Sequence, residues 1–518
     1  MLRVRWSGRT TGWPLRLLAA TAIVMVIGGC DDEGDSGPRP PNVVVIQSDD
    51  QGLDLFTRQA MPATYRELVD HGTRLRNYIT TTPLCCPSRA SLLTGQYGHN
   101  NGVLANKYSL LRDKDEILPA WLQHAGYRTI HVGKYLNNYE AFADERKPAF
   151  GWSDWQTVAV PGYYDYDLSD NGRLVRYGSR DRDYSGRVIT RRAARAVRES
   201  AGGDPFYLQV DYYQPHSDPG RGDDCSKYPI PDPNDFGELT DADIPRPPSF
   251  DERDMSDKPP FASGLPPLDA GDLATIAGKY RCGLAASRSL DRGVERIVGA
   301  LRETGELDRT VVVYVSDNGV LHGQHRVPAG KHVAYEEAIR VPGVIRVPSG
   351  VLDDAAPASV AAPTANIDLA PTILDLAGAS PCIEDDTCRV MDGLSMAGSL
   401  GGPGEPIPDD RTLVVELDEE QKPPNRHEPC RYAGVATLAD IYIRYSRAQD
   451  ATGNCVPVDQ AELYDREGDP YQLDNLATEG GGQVASLVDD LQARLDELHD
   501  CAGVQGRDPR VGGRPYCG

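Results

Sequence analysis

No run of basic residues in this 518-residue chain is long enough to track a phosphate backbone, and acids outnumber bases by 77 to 54, for a net charge of −23. A field of that sign repels nucleic acid and anionic lipid headgroups, so neither is expected as a partner. A membrane-spanning run is missing too. The one long apolar stretch, LLAATAIVMVI at 17–27, is about half as long as a bilayer requires. There is no CxxC pair, zinc-knuckle spacing, HExxH or solenoid repeat. These absences exclude thioredoxin-like redox chemistry, the common zinc sites and stacked-repeat folds.

What is present begins with an export signal. Arg3, Arg5, Arg9 and Arg16 precede or open the apolar stretch, which ends in Ile27-Gly28-Gly29-Cys30. That ending resembles a bacterial lipobox. Residues 1–29 would then be removed, and Cys30 would carry a lipid anchor as the only link to a membrane; an ordinary signal and a secreted protein are the alternative. Residues 30–41 follow as a flexible tether. Loss of the four arginines takes the balance to −27. The protein is expected to be exported and held at the cell surface, with a catalytic domain over 42–400, a hinge at 398–410 and a C-terminal subdomain over 411–518.

Export places the eleven cysteines in an oxidising compartment. Setting aside Cys30 and the adjacent Cys85 and Cys86 leaves eight. Nearest-neighbour pairing then predicts 225–282, 382–388, 430–455 and 501–517. The vicinal pair is surplus to that set.

Short β-branched runs stop abruptly at polar clusters. NVVVI from Asn42 ends at Ser48-Asp49-Asp50, TVVVYV from Thr310 at Ser316-Asp317-Asn318-Gly319, and PFYLQVDYY from Pro205 at Gln214-Pro215-His216. Helical patterns at 119–126, about 272–304 and 484–498 alternate with such runs, and TLVVEL and IYIRY read as further strands near the C-terminus. The fold class is therefore α/β with a largely parallel sheet, and a site is expected where the strands end. Residues 217–270, rich in proline and acid, predict a long loop overhanging that site.

Asp49, Asp50, Asp317 and Asn318 offer only oxygen donors, which select calcium or magnesium. Read alone, they could equally be turns closing strands. Lys134 and Lys331 could be solvated lysines, and His216 a packed core residue. His322, His325 and His332 lack a zinc spacing and are expected as surface or supporting groups.

CCPSRASLLTG at 85–95 matches C-x-P-S-R-x-x-x-x-T-G, and by that signature the chain resembles the formylglycine-dependent sulfatases. The register starts at Cys85, because a start at Cys86 would put Ser88 where proline belongs. SDDQG at 48–52, VGKYLNNY at 132–139, QPHSDP at 214–219, SDNG at 316–319, NIDLAPTILDLAG at 366–378 and ELYDREGDPYQLDNLA at 462–477 follow the family order. The doubled cysteine and GKYLN are most similar to the N-acetylglucosamine-6-sulfatase and heparan 6-sulfatase branch. Two positions depart from family patterns. Leu136 stands where GKxH has histidine, and His322 is one place removed from DNGYHxGQ.

The resemblance implies an alkaline phosphatase-like fold, a large mixed sheet between helices with a smaller C-terminal α+β part. It implies that a formylglycine-generating enzyme converts Cys85 to formylglycine (3-oxoalanine) during maturation. The hydrated aldehyde would attack sulfur and then release sulfate. Asp49, Asp50, Asp317 and Asn318, with the converted Cys85, would hold one Ca²⁺, with Mg²⁺ as the other candidate. Lys134, His216 and Lys331 would bind sulfate or protonate the leaving oxygen, and Arg89 would fix the nucleophile. The expected reaction is hydrolysis of a sulfated sugar, a 6-O-sulfated glucosamine type. Alternatives are an arylsulfatase, a phosphate or phosphonate monoesterase, or a lipid-anchored glycan-binding protein without turnover. Global charge favours small or sparsely charged sulfated sugars, except where a local positive focus overrides it.

Overall fold

A computed structural model describes residues 39–518, apart from 140–146, 218–224, 226–227, 238, 240, 385–386, 420–427, 451 and 479. The export signal and most of the tether lie outside the described residues. Residues 40–518 form one compact unit.

Its frame is a ten-stranded sheet made of β1 (Asn42–Ser48), β2 (Thr73–Ile79), β3 (Arg128–Lys134), β4 (Asp154–Val158), β5 (Asp167–Asp170), β6 (Arg173–Arg176), β7 (Phe206–Asp211), β8 (Thr310–Ser316), β9 (Gly343–Arg346) and β10 (Ser359–Ala365). The order is β10-β2-β9-β8-β1-β7-β3-β4-β5-β6. The central strands β8, β1, β7, β3 and β4 are mutually parallel, and β9 and β5 run against their neighbours. Both faces of β1 are covered. Val43 and Val45 pack in one core with Leu92, Trp121 and Ile373, while Val44 and Ile46 pack in another with Val294 and Ile297. A strand buried on both faces reads as an uninterrupted apolar run, and NVVVI is one.

The long helix Ala270–Glu303 starts at Asp269, whose carboxylate accepts from the backbone N–H groups of Gly271 and Asp272. Helices at Leu118–His124 and Gly482–Leu498 match the expected periodicities to within two residues. All four disulfides join the nearest-neighbour pairs, and Cys85 and Cys86 are free and buried. The described parts of 217–270 hold only one short helix, Pro260–Ser263. Near the loop's far end, Asp251 N–H donates to the Gly323 carbonyl at 2.9 Å.

Beyond a small antiparallel pair, β11 (Cys382–Glu384) and β12 (Thr387–Cys388), the strands β13 (Leu413–Asp418), β14 (Pro429–Ala436), β15 (Asp440–Gln449) and β16 (Cys455–Asp465) form an antiparallel sheet near the C-terminus. Arg411 forks onto Asp368 at 2.6 and 2.7 Å, and Glu416 on β13 meets His99 Nδ1 at 3.0 and 3.1 Å. Burial alone would depress the His99 pKa, but the adjoining carboxylate raises it above the usual imidazole value. Glu416 is lowered by His99 against its own burial. The histidine contribution is thus complete below an unfolded value near 6.5 and disappears as pH climbs through the raised folded value. The carboxylate contribution is present above about 4.3 and disappears as pH falls through the lowered one. Replacing His99 with glutamine should cost about 1.5–3 kcal/mol at pH 5.5 and less at pH 8.5. Thermal unfolding at both pH values measures this, and an equal loss at each would contradict it.

Candidate active site

Because β1, β3, β7 and β8 are parallel neighbours, their carboxyl ends open on one edge, and register sets Ser48 beside Ser316 and Gly133 beside Asp211. Asp49 and Asp50 leave β1, Lys134 ends β3, His216 follows β7, and Asp317 and Asn318 leave β8. The last participant is the helix Cys85–Thr94, every residue of which is buried. Its entry is fixed by Asn106, which accepts from Cys86 N–H at 2.9 Å, and by Asn366, which donates to the Ser88 carbonyl at 3.0 Å. It stops at Gly95, whose φ of 65° lies in the left-handed region and whose missing side chain leaves room for Met391. The terminal Thr-Gly of the motif is thus a helix stop.

Every residue nominated from sequence as catalytic or metal-holding meets at this edge. Cys85 Sγ lies 2.9 Å from Lys331 Nζ and 3.4 Å from Asp49 Oδ1. Lys134 donates to Asp49, and Lys331 to Asp50. Arg89 Nε donates to Asp317 Oδ2 at 2.8 Å, and one guanidinium nitrogen lies 3.4 Å from Asp211 Oδ1. His216 Nδ1 donates to the Ser217 carbonyl at 2.6 Å, which turns Nε2 toward Asp50 Oδ2 at 3.6 Å. The Asp50 N–H donates to Asp317 Oδ1 at 3.1 Å, and Asn318 Nδ2 to Asp50 Oδ1 at 2.7 Å.

Three carboxylates, two ammonium groups and a guanidinium share a small, largely buried space. Burial alone would raise Asp49, but Lys134, His216, Arg89 and Lys331 together hold it far below the carboxylate range. Asp50 is lowered against its burial by Lys331 and His216. Asp317 goes the other way, pushed up to about 6 by burial and by the charge on Asp49. Burial, and secondarily Asp49, pushes the Cys85 thiol up to about 12. An unmodified Cys85 is therefore protonated near neutrality and a weak nucleophile. Burial lowers His216, so its imidazole is neutral there.

Ligand atoms of Asp49, Asp50, Cys85 and His216 lie within 4.8 Å of one another. Asn318 Oδ1 is buried without a hydrogen-bond partner. An orphaned acceptor beside crowded carboxylates, one of them pushed up by burial and by a like-charged neighbour, is a donor set suited to a hard dication.

Of the two places expected for His322, His325 and His332, surface or supporting, the structure shows none at the surface; His322 pairs with Asp54 at 2.8 Å, His325 with Glu252 at 2.7 Å, and His332 with Glu428. Leu136 packs into the apolar core beside Tyr135 and Tyr139. Sequence reasoning missed Asp211 and His131. His131 Nε2 and Asp211 Oδ2 are 2.9 Å apart, behind Arg89 and wholly buried. The signal available was an acid ending a fully buried strand.

Comparisons with known proteins agree with this geometry. The family model described as Sulfatase matches residues 41–379. The chain is 32% identical to an arylsulfatase of Volvox carteri over 90% of this chain and 76% of that protein. It is 30% identical to human N-acetylglucosamine-6-sulfatase over 94% of this chain and 90% of the relative. A solved structure described as a complex with its substrate D-glucosamine-2-N,6-O-disulfate superposes with a TM-score of 0.69 at 22% identity, covering 89% of this chain and 97% of the other.

Proposed function

The chain belongs to the sulfatase family and hydrolyses sulfate esters, and from that premise we propose that its substrate is the 6-O-sulfate of a glucosamine-type sugar. The observation supporting this choice is the similarity to N-acetylglucosamine-6-sulfatase along nearly the whole chain, together with GKYLN at 133–137. A cavity of about 170 Å³ opens beside Lys134, lined by Leu136, Asn137, Asn138, Tyr139 and Pro161, with room for a sugar ring next to the cluster. A second reading, an arylsulfatase, is favoured by the 32% identity to the Volvox protein.

In this proposal Cys85 is the formylglycine precursor. Because Cys85 is 1% exposed in the fold, a formylglycine-generating enzyme must reach it before folding is complete. Asp49, Asp50, Asp317 and Asn318, with residue 85, would hold one calcium ion, or magnesium in its place. When present, the hydrated aldehyde supplies a hydroxyl nucleophile and a second hydroxyl for sulfate release, and the cation supplies Lewis-acid polarisation of sulfate oxygens. The chain's own side chains do the remaining work. The ammonium groups of Lys134 and Lys331, raised by Asp49 and Asp50 against burial, stay charged and face the space where sulfate charge must be met. They are also the proton donors available to a leaving alkoxide. Neutral His216 presents its Nε2 lone pair, which is available to accept a hydrogen bond from a substrate hydroxyl. Arg89 aligns Asp317 without facing the substrate.

All of these groups come from 42–400, which we take as the catalytic domain, with 411–518 as its subdomain. Export and an anchor at Cys30 are proposed from the leader and from relatives named as extracellular sulfatases. Among the described residues no helix is long and apolar enough to cross a membrane.

The test is a panel of glucosamine 6-sulfate, an aryl sulfate, and phosphate and phosphonate monoesters given to purified protein. Glucosamine 6-sulfate should have the highest kcat/KM, by about ten-fold or more. Preference for the aryl sulfate would transfer the assignment to the second reading. Chelation should reduce turnover by about ten-fold or more, and calcium should restore it.

A further inference from the structure

We propose that a cavity between the helices Ser185–Ser200 and Ala270–Glu303 is a second anion site, which takes a sulfate group on a sulfated polysaccharide while another sugar of that polymer occupies the active site. The cavity measures about 250 Å³, and Arg182, Arg187, Arg191, Arg292 and Arg296 line it. Of the residues lining it only Asp232 and Asp235 are acidic, and both are engaged; Asp181 and Asp183 flank Arg182 outside the lining. Asp232 is forked by Arg187, and Asp235 pairs with Arg292 and accepts from Ser289 Oγ at 2.8 Å. Arg182, Arg191 and Arg296 therefore stand without a carboxylate partner among the described residues. Arg191 is held toward Arg182 by a 3.0 Å hydrogen bond to its carbonyl.

Five guanidinium groups against two carboxylates make the lining of this cavity far more basic than a chain of charge −23 is as a whole. The planar fork of arginine matches sulfate oxygens two at a time, which an isolated surface lysine cannot do. The helices that carry these groups approach closely. At Gly293 a Cβ would fall 2.8 Å from Thr190 Oγ1, so the arginines on the two helices face a common space.

The cavity also adjoins the active-site loop. Tyr184 on its wall stacks on Tyr163 with ring centroids 5.8 Å apart, and Tyr163 donates to the His216 carbonyl at 2.8 Å. Two anion sites on one polymer raise affinity through effective concentration, with no new contact at the reacting group. This identification of the anion rests on the sugar-sulfate reading above.

The experiment joins Arg191→Gln and Arg296→Gln. Binding of a heparin-derived hexasaccharide and of inorganic sulfate is measured by calorimetry in the Cys85→Ala background. Turnover of glucosamine 6-sulfate is measured with Cys85 intact. The double variant should bind the hexasaccharide about ten-fold more weakly and turn over the monosaccharide within about two-fold of the parent. Unchanged hexasaccharide binding would overturn the site, and so would inorganic sulfate binding as tightly as the hexasaccharide. If the parent fails to turn over the monosaccharide while the double variant still loses hexasaccharide binding, the substrate reading fails and the site stands.

Discussion

Cys85→Ala should lower sulfatase turnover by about four orders of magnitude or more, whereas Cys86→Ala should retain activity to within about ten-fold. The two neighbours share burial and a free thiol but differ in what they face. Cys85 Sγ lies between Lys331 Nζ and Asp49 Oδ1, inside the charged cluster, while Cys86 Sγ points away to the Asn137 carbonyl at 3.8 Å, against the apolar core. Removing the Cys86 sulfur leaves a small cavity and should cost about 1 kcal/mol of stability. Removing the Cys85 sulfur removes the proposed precursor of the nucleophile. Mass spectrometry of the tryptic peptide ending at Arg89 gives an independent readout, since the aldehyde and the thiol differ in mass. A peptide carrying an unmodified thiol at Cys85, together with undiminished turnover in Cys85→Ala, would sink the mechanism.

The site was legible because the sheet is parallel where it matters. β7 and β8 flank β1 although they come from distant parts of the chain, so three polar clusters that are far apart in sequence meet at one edge. The apolar runs and their abrupt polar ends carry that information directly. The disulfides were legible for a different reason, since each joins cysteines that follow one another in the chain once Cys30, Cys85 and Cys86 are set aside, at separations of 6, 16, 25 and 57 residues. What escaped has no period and no local spacing. The His131–Asp211 contact pairs residues on adjacent strands 80 positions apart, and no local spacing links the acid at the end of one strand to the histidine within the other. Whether the histidines at 322, 325 and 332 lay at the surface or in support stayed open in the sequence because the carboxylates they pair with, Asp54, Glu252 and Glu428, are remote in the chain. The arginine cavity draws on two helices about a hundred residues apart, so no basic run announces it.

Arg89→Ala should be the most destabilising change at the site, by about 3–5 kcal/mol near neutrality, because it leaves buried carboxylates without their cation. Arg89 is 2% exposed; it donates to Asp317 at 2.8 Å and to the Lys134 carbonyl at 3.1 Å, and it reaches Asp211 at 3.4 Å and Asp49 at 3.8 Å. A lysine cannot span these acceptors, so Arg89→Lys should recover only part of the loss. The sign of the pH dependence follows from Asp317. Its folded pKa is already pushed up to about 6 by burial and Asp49, so before any cation binds, folding binds a proton there, and stability falls as pH rises from about 4 toward that value. Without Arg89 the folded pKa rises further and the decline extends to higher pH. The defect should therefore be smaller at pH 5 than at pH 7.5. A divalent cation neutralises the same carboxylates, so calcium should raise the Tm of Arg89→Ala, or of Arg89→Lys if the alanine protein does not fold, by more than it raises that of the parent. Equal calcium shifts in the variant and the parent would place the cation away from Asp49 and Asp317, and would remove those residues from the proposed metal set.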